Sequence, residues 1–114
     1  DAGATRERTA ALRFAATAAA RRTDDARSGI ELQVRGAWMA VRDAGARWRV
    51  ANAATAQAAE NERQSRELYG AGLASHTQVL DAVRLHTLAV SGRDQAEFDQ
   101  ALARLALAHA VGSL

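Results

Sequence analysis

The sequence predicts an all-α protein, a long antiparallel coiled-coil hairpin of two helices. Its 114 residues include no proline and thirty alanines, and proline breaks helices whereas alanine forms them best. Small and apolar residues recur in alternating steps of three and four along most of the chain, the pattern of a helix packed along its length. No segment rich in β-branched and aromatic residues alternates with a period of two, so no strand is predicted.

The first predicted helix spans about residues 4–69 and carries one stripe of mostly small residues. A repeat of 3.5 residues held over about eight heptads predicts a left-handed supercoil, and the helical rise gives a length of about 100 Å. Small residues at these positions let a neighbouring helix approach closely. The stripe consists of Thr9, Leu12, Ala16, Ala19, Thr23, Ala26, Ile30, Val34, Ala37, Val41, Ala44, Trp48, Ala51, Thr55, Ala58, Glu62, Ser65 and Tyr69.

A tip turn is predicted at residues 70–75, where stop and start signals follow each other. Gly72 suits the left-handed residue after a helix, with Leu73 as the next residue of a Schellman motif. Ser75 and Gln78 have the spacing of a capping box, which begins a new helix. The first helix therefore ends, the chain reverses within a few residues, and a second helix begins.

The second predicted helix spans about residues 76–111, and a short connection makes it antiparallel to the first. Because it is shorter, it ends opposite Ile30 to Val34, so the first thirty or so residues of helix one lack a partner within these residues. Their stripe is expected to be covered by another chain or by parts of the same protein outside this sequence. Its apolar residues cover more than one face, which predicts neighbours on two sides and self-association of the chain. They include Leu80, Val83, Leu88, Phe98, Leu102 and Leu105.

The charge pattern and the cysteine count exclude several classes of function. All fifteen basic residues are Arg, the net charge is only +2, and the basic residues are dispersed among acids, so a nucleic-acid partner is not expected. The absence of Cys excludes disulfides and thiolate metal sites. No run of about 18 apolar residues predicts a transmembrane helix. Residues 1–114 are interpreted as a single helical hairpin, a fragment of a longer protein.

Catalysis and metal binding are not predicted either. The spacings between His76, His86 and His109 match no common ligand motif. No Ser/His/Asp arrangement or carboxylate pair can be argued from the sequence. We therefore expect no enzyme activity, no catalytic residue, no metal site and no cofactor.

The turn and its flanks resemble the periplasmic hairpin of the TolC family. Residues 69–82 read Tyr-Gly-Ala-Gly-Leu-Ala-Ser-His-Thr-Gln-Val-Leu-Asp-Ala. This segment is similar to the tip of that family. The shared pattern is a Tyr, a Gly three residues later, a small hydroxyl residue three further on, and then Val-Leu-Asp-Ala. Two flanking stretches resemble its long helix and its closing helix, namely Val34, Ala37 and Trp38, and Leu102, Leu105, Ala110, Val111 and Gly112.

The resemblance implies an architecture and a function. Proteins of this family are trimers with an outer-membrane β-barrel and a long periplasmic α-barrel, built from two structural repeats. The chain would be the hairpin of the second repeat, in the periplasm of a Gram-negative bacterium, attached to the outer membrane only through barrel strands outside these residues. The family exports substrates, by type I protein secretion (of toxins, for example) or multidrug efflux. It does so by docking a periplasmic adaptor, the membrane fusion protein, and an inner-membrane transporter.

The resemblance also implies roles for individual residues. The adaptor-docking tip would consist of Ala71, Gly72, Leu73 and Ser75. The periplasmic entrance would be gated or lined by Tyr69, Gln78 and Asp81, the last forming an acidic ring in a trimer. Two positions depart from the family: Ala74 stands where some members have a bridging Arg, and Gln78 where some have a second Asp. An Arg-based lock of the entrance is therefore not implied.

Other interpretations compete with the channel. A free-standing coiled-coil scaffold or interaction module explains the heptads equally well, although it does not explain the turn followed by Val-Leu-Asp-Ala. An amphipathic helix at a lipid surface would need a broader, bulkier apolar face. Individually, Tyr69 can be a helix-end residue that packs on the second helix, and Asp81 can be a solvated charge.

Overall fold

The computed structural model describes residues 1–112, which form two α-helices joined by one turn and contain no strand. Helix α1 spans Ala2–Gly70 and helix α2 spans His76–Gly112. The rod measures 105 × 20 × 13 Å and its radius of gyration is 28.9 Å, whereas a globular chain of this length would have about 13 Å. The all-α hairpin predicted from the sequence is confirmed.

Helix α1 begins slightly earlier than predicted because Asp1 caps it. The Asp1 carboxylate accepts a hydrogen bond of 3.2 Å from the backbone N–H of Gly3, which satisfies one of the free donors at the helix start. At the other end Gly70 is still helical, so the turn proper comprises residues 71–75. A 69-residue helix should be about 104 Å long, which accounts for the long dimension of the rod.

The seam between the helices follows the stripe predicted on α1 from Ile30 onward. Every stripe residue from Ile30 to Ser65 is buried or half-buried. Ala44 is 1% exposed and Thr55 is 7% exposed. Tyr69 lies beyond the seam and is exposed. The paired residues on α1 are Ile30, Val34, Ala37, Val41, Ala44, Trp48, Ala51, Thr55, Ala58, Glu62 and Ser65.

The face that α2 turns to the seam consists of alanines alternating with larger, mostly polar residues. Ala82 and Ala110 are almost fully buried. Gly45 of α1 lies opposite the Gln100 side chain, since a Cβ at Gly45 would be in ordinary contact with the Gln100 Nε2 atom at 3.5 Å. These residues keep the seven-residue repeat of a coiled coil. They are Val79, Ala82, His86, Ala89, Arg93, Ala96, Gln100, Ala103, Leu107 and Ala110.

Apart from Val79 and Leu107, the bulky apolar residues of α2 lie outside the seam. Of the six residues named above for α2, only Val83 is half-buried beside the seam, whereas the other five are exposed. No large side chain among residues 1–112 is fully buried. The prediction that α2 carries apolar residues on more than one side is therefore met, but the side that α1 covers is the alanine side.

The first part of α1 extends alone beyond the end of α2. The last groove between the helices is lined by Val34, Trp38, Leu107 and Val111, among others, and residues 2–29 are exposed apart from a half-buried Ala18. The stripe also changes step here, because Ala26, Ile30 and Val34 are separated by two consecutive steps of four. Such a step locally unwinds the supercoil. We call residues 2–29 the overhang.

Candidate functional site

The tip begins with the helix end that the sequence predicts. The N–H of Leu73 donates to the carbonyl of Leu68 at 2.8 Å, and the N–H of Gly72 donates to the carbonyl of Tyr69 at 3.0 Å. These are the two hydrogen bonds of a Schellman motif. Gly72 has a φ of 75°, the left-handed region, which residues with a Cβ adopt only at a cost.

The start of α2 is a reciprocal capping box, also as predicted. The Ser75 N–H donates to the Gln78 Oε1 atom at 2.7 Å, and the Gln78 N–H donates to the Ser75 Oγ atom at 3.2 Å. Both side chains therefore satisfy backbone groups that would otherwise lack partners at the helix start. The Ser75 hydroxyl and the Gln78 side-chain amide therefore stabilise the tip itself, and contact with a partner would be a second role for them.

Tyr69 packs across the turn against the first residue of α2. The ring centroids of Tyr69 and His76 lie 5.8 Å apart with an angle of 51° between the planes, a tilted arrangement that aromatic pairs favour. Tyr69 is still 49% exposed. Packing on α2 is the structural role considered above for Tyr69, as opposed to the gating role that the resemblance implies. About half of the Tyr69 surface stays accessible to a neighbour.

The remaining residues of the predicted docking tip project into solvent. Ala71, Gly72 and Ser75 are exposed, and Leu73 is exposed to 76%. A Cβ at Gly72 would meet no atom within 4 Å, so the space around the turn is open. The structure thus brings Ala71, Gly72 and Leu73 together as one convex, capped surface with an apolar side chain at its apex.

The predicted entrance residues do not form a cluster within one chain. Asp81 lies on the exposed side of α2, one turn after the capping box, and makes no ion pair with residues 1–112. Gln78 is exposed, and its carbonyl oxygen is used in the cap. Ala74, the position without an Arg, is half-buried in the turn.

Sequence analysis missed a hydrogen bond between side chains that joins the two helices behind the tip. The Nδ1 atom of His86 lies 2.7 Å from the Oε2 atom of Glu62, and the side chains are only 32% and 17% exposed. Because an ionised carboxylate only accepts hydrogen bonds, Nδ1 of His86 is the donor. Both residues occupy seam positions, so pairing the two stripes outward from the turn would have brought them together.

The local charges favour the ionised form of Glu62. The hydrogen bond from His86, followed by the hydrogen bond from Arg66 at 2.8 Å, lowers the pKa of the Glu62 carboxyl. A second cluster lies on the exposed side of α1, where Arg63 pairs with Glu60 and Glu67. The Arg63 guanidinium lowers the pKa of Glu60 to about 2. Charges near the tip are thus organised in pairs within and between helices.

The exposed tip offers a surface for binding. No three His, Cys, Asp or Glu side chains among residues 1–112 converge as metal ligands would. Neither α1 nor α2 contains a segment apolar and long enough to cross a bilayer.

Comparison with known proteins gives no relative from which to infer a function. The chain matches no protein-family model, no curated protein and no solved structure.

Proposed function

We propose that this chain is a wall segment of a TolC-type outer-membrane channel, in which the hairpins of a trimer stand side by side in the periplasm. Its tip would dock the hairpin of a periplasmic adaptor, which links the channel to an inner-membrane transporter. The channel would export a substrate by type I secretion or by efflux. The resemblance behind this proposal rests on the tip residues and on the two flanking stretches quoted above.

The observation that carries the proposal is a second apolar stripe on each helix, on the side opposite the seam. On α1 this outer stripe includes Leu32, Met39 and Val50, which are 71%, 54% and 71% exposed. Leu32 and Met39 are seven residues apart, so they lie on the same side of the helix, and Val50 occupies the outer heptad position next to theirs. A helix within a wall needs such a stripe because it has a neighbour on each of two opposite sides.

Helix α2 carries the matching outer stripe at the same height of the rod. Phe98, Leu102 and Leu105 are 59%, 49% and 67% exposed and follow each other in steps of four and three. Gln100 lies beside Gly45 in the seam, which puts this stripe level with the middle of the outer stripe on α1. Exposed apolar surface of this extent marks a protein interaction site.

The outer stripes also favour a wall over a free-standing scaffold. A two-helix coiled coil that works alone has polar residues opposite its seam, where water surrounds it. Here the side opposite the seam carries large apolar residues among polar ones, namely Leu32, Met39 and Val50 on α1 and Phe98, Leu102 and Leu105 on α2. These residues lie away from the tip, so lateral neighbours would cover the rod there and leave the tip free.

The docking role is tested by measuring the binding of this chain to purified hairpins of periplasmic adaptors. Leu73→Glu should weaken binding about tenfold or more, since it puts a charge at the apex of the contact. Leu12→Glu is the matched control because Leu12 is also a strongly exposed leucine, 66%, but lies at the opposite end of α1. It should bind as the unmodified chain does.

Either of two results would contradict the docking role. The first is equal loss of binding in the Leu73 and Leu12 variants, which would mean that the contact is not at the tip. The second is no detectable binding of the unmodified chain to any hairpin of the panel. Circular dichroism of each variant must show unchanged helicity for the comparison to be valid.

A further inference from the structure

The overhang continues the seam beyond the end of α2 without a partner helix. Thr9, Leu12, Ala16, Ala19, Thr23 and Ala26 keep the alternating steps of three and four, and all are exposed. The seam and the overhang are parts of one uninterrupted helix. The overhang therefore presents an already formed helical face, similar to the face of α1 that α2 covers from Ile30 onward.

Threonines in the overhang make a side-chain hydrogen bond that also occurs in the seam. The hydroxyls of Thr9 and Thr23 donate to the carbonyls of Thr5 and Ala19, at 2.8 and 3.1 Å, so the rest of each side chain offers a methyl group to a partner. In the seam, Thr55 makes the same type of bond to Ala51 and also contacts the opposite helix. The overhang is thus chemically suited to a close helix packed with small residues.

Arginines border the overhang stripe on both sides. Arg8 and Arg22 directly precede Thr9 and Thr23, while Arg13 and Arg27 directly follow Leu12 and Ala26. These are the positions beside the buried stripe of a coiled coil, where charges choose the partner. None of these four guanidinium groups makes a hydrogen bond or an ion pair with residues 1–112.

The acidic residues of the overhang do not lie at the border positions that the four arginines occupy. The border positions beside the seam also differ, because most of them are not arginines. Glu7, Asp24 and Asp25 occupy outer heptad positions, away from the stripe. Beside the seam, the border positions of α1 hold mainly uncharged residues, Asn52 and Ala59 for example. Arginines are therefore denser at the border positions of the overhang than beside the seam, where Arg47 and Arg66 occupy such positions.

We propose that the overhang binds a helix of another polypeptide whose own stripe is made of small residues and is bordered by Asp and Glu. The four arginines would pair with those carboxylates, while alanines of the partner would pack against Thr9, Ala16 and Thr23. The partner helix would continue the line of α2 along α1. This inference rests on the overhang alone and does not depend on the channel proposal.

Charge argues against two other occupants. If a second copy of the overhang were the partner, in either direction, arginines would face arginines along the borders, and like charges across a seam are unfavourable. A lipid surface would require a broad face of large apolar side chains, whereas this stripe is mainly Ala and Thr. A helix with acidic borders satisfies both the stripe and the arginines.

The test uses two designed helical peptides of about four heptads with the same alanine-rich stripe. One carries Glu at all border positions and the other carries Lys. By isothermal titration calorimetry at low salt, the 114-residue chain should bind the Glu peptide about tenfold or more tightly than the Lys peptide. The preference should shrink as salt is raised from about 0.05 M to about 0.5 M, because these pairs are exposed.

Two chain variants locate the contact. Replacement of all four border arginines, Arg8→Glu, Arg13→Glu, Arg22→Glu and Arg27→Glu, should invert the preference so that the Lys peptide binds better. Ala16→Glu should abolish binding of the Glu peptide, while Ser91→Glu, at an exposed position of α2 away from the overhang, should leave it unchanged. Circular dichroism checks that each variant keeps its helicity.

Several results would overturn the proposal. They include equal affinity for the two peptides, no binding of either, and a preference that survives charge reversal of the chain. Two further measurements test the other two occupants, a lipid surface and a second copy of this chain. Tighter binding to vesicles of anionic phospholipid would assign the overhang to a membrane. Self-association that Ala16→Glu abolishes would assign it to a second copy of this chain.

Discussion

The hydroxyl oxygen of Thr55 on α1 lies 3.0 Å from the backbone carbonyl oxygen of Ala89 on α2. The same hydroxyl lies 2.9 Å from the carbonyl of Ala51, one turn earlier in its own helix. A side chain as short as threonine reaches the backbone of another helix only when the two helices are very close. The alanines on both sides of the seam allow this approach, and Thr55, 7% exposed, fixes the register at that level.

Thr55→Val should lower the free energy of unfolding by about 1 kcal/mol, because it replaces a shared hydrogen bond with a methyl group of similar size. Urea denaturation followed by circular dichroism measures the change. Thr23→Val is the matched control, since Thr23 makes the same bond to its own helix at an exposed position. If both variants lose the same stability, the contact with Ala89 contributes nothing.

Substitutions of two neighbouring glycines should have opposite effects on stability. Gly72→Ala should destabilise the hairpin by about 1–2 kcal/mol, because φ is positive there and the cost lies in the backbone. Gly70→Ala should stabilise it by about 0.5–1 kcal/mol, since Gly70 is helical and a Cβ there meets no atom within 4 Å. Thermal or urea unfolding of both variants provides the measurement. Effects of the same sign would contradict the observed tip geometry.

The stability of the hairpin should fall in acid through Glu62. The pKa of this carboxyl is lowered in the folded chain, so the folded state binds fewer protons than the unfolded state. The stabilisation is therefore present above the unfolded pKa and is lost as the pH falls through the folded pKa. We expect the free energy of unfolding to decrease as the pH falls below the usual glutamate pKa of about 4.3.

Variants test which contacts cause this acid sensitivity. Glu62→Gln should flatten the dependence of the unfolding free energy on pH. His86→Ala should flatten it more than Arg66→Ala, because the hydrogen bond from His86 is the largest cause of the lowered pKa. Glu97→Gln is a control, since Glu97 is an exposed acid that makes no ion pair with residues 1–112. An unchanged pH profile for Glu62→Gln would remove this residue from the explanation.

The outer stripes should make the chain self-associate at submillimolar concentration. The double variant Leu102→Glu and Leu105→Glu should reduce the weight-average mass measured by sedimentation equilibrium, because charges at these positions oppose burial. The helical circular dichroism signal should be kept. Ser91→Glu adds a charge to the same side of α2 in its polar region and should have little effect. A strictly monomeric unmodified chain would remove the main support for the wall-segment proposal.

Local signals in the sequence were sufficient for the backbone of the tip. The positive φ of Gly72, the hydrogen bond from Leu73 to Leu68 and the capping box of Ser75 and Gln78 were all predicted. Each depends on residues within one or two turns of each other, so residue type and spacing fix it. The docking and gating roles of the tip remain predictions, since they involve partners rather than local geometry.

The contacts between helices were predicted less completely. The stripe on α1 was identified down to the individual residues from Ile30 to Ser65, because its period is regular. The packing of Tyr69 on the second helix was considered, but its contact with His76 and the pair of Glu62 with His86 were not predicted, although both follow from pairing the two helices outward from the turn. The histidines were considered only as metal ligands or catalytic groups.

The sequence by itself determined two long helices, the position of their reversal and the face of α1 that packs, because helix propensity, capping and period act within a few residues. Only the tertiary structure decided which side of α2 enters the seam. Hydrophobicity alone favours the side with Phe98, Leu102 and Leu105. Helix α1 presents a narrow row of small residues, and close approach requires an equally small row opposite. Packing geometry therefore put the alanines of α2 inside and left its large apolar side chains exposed.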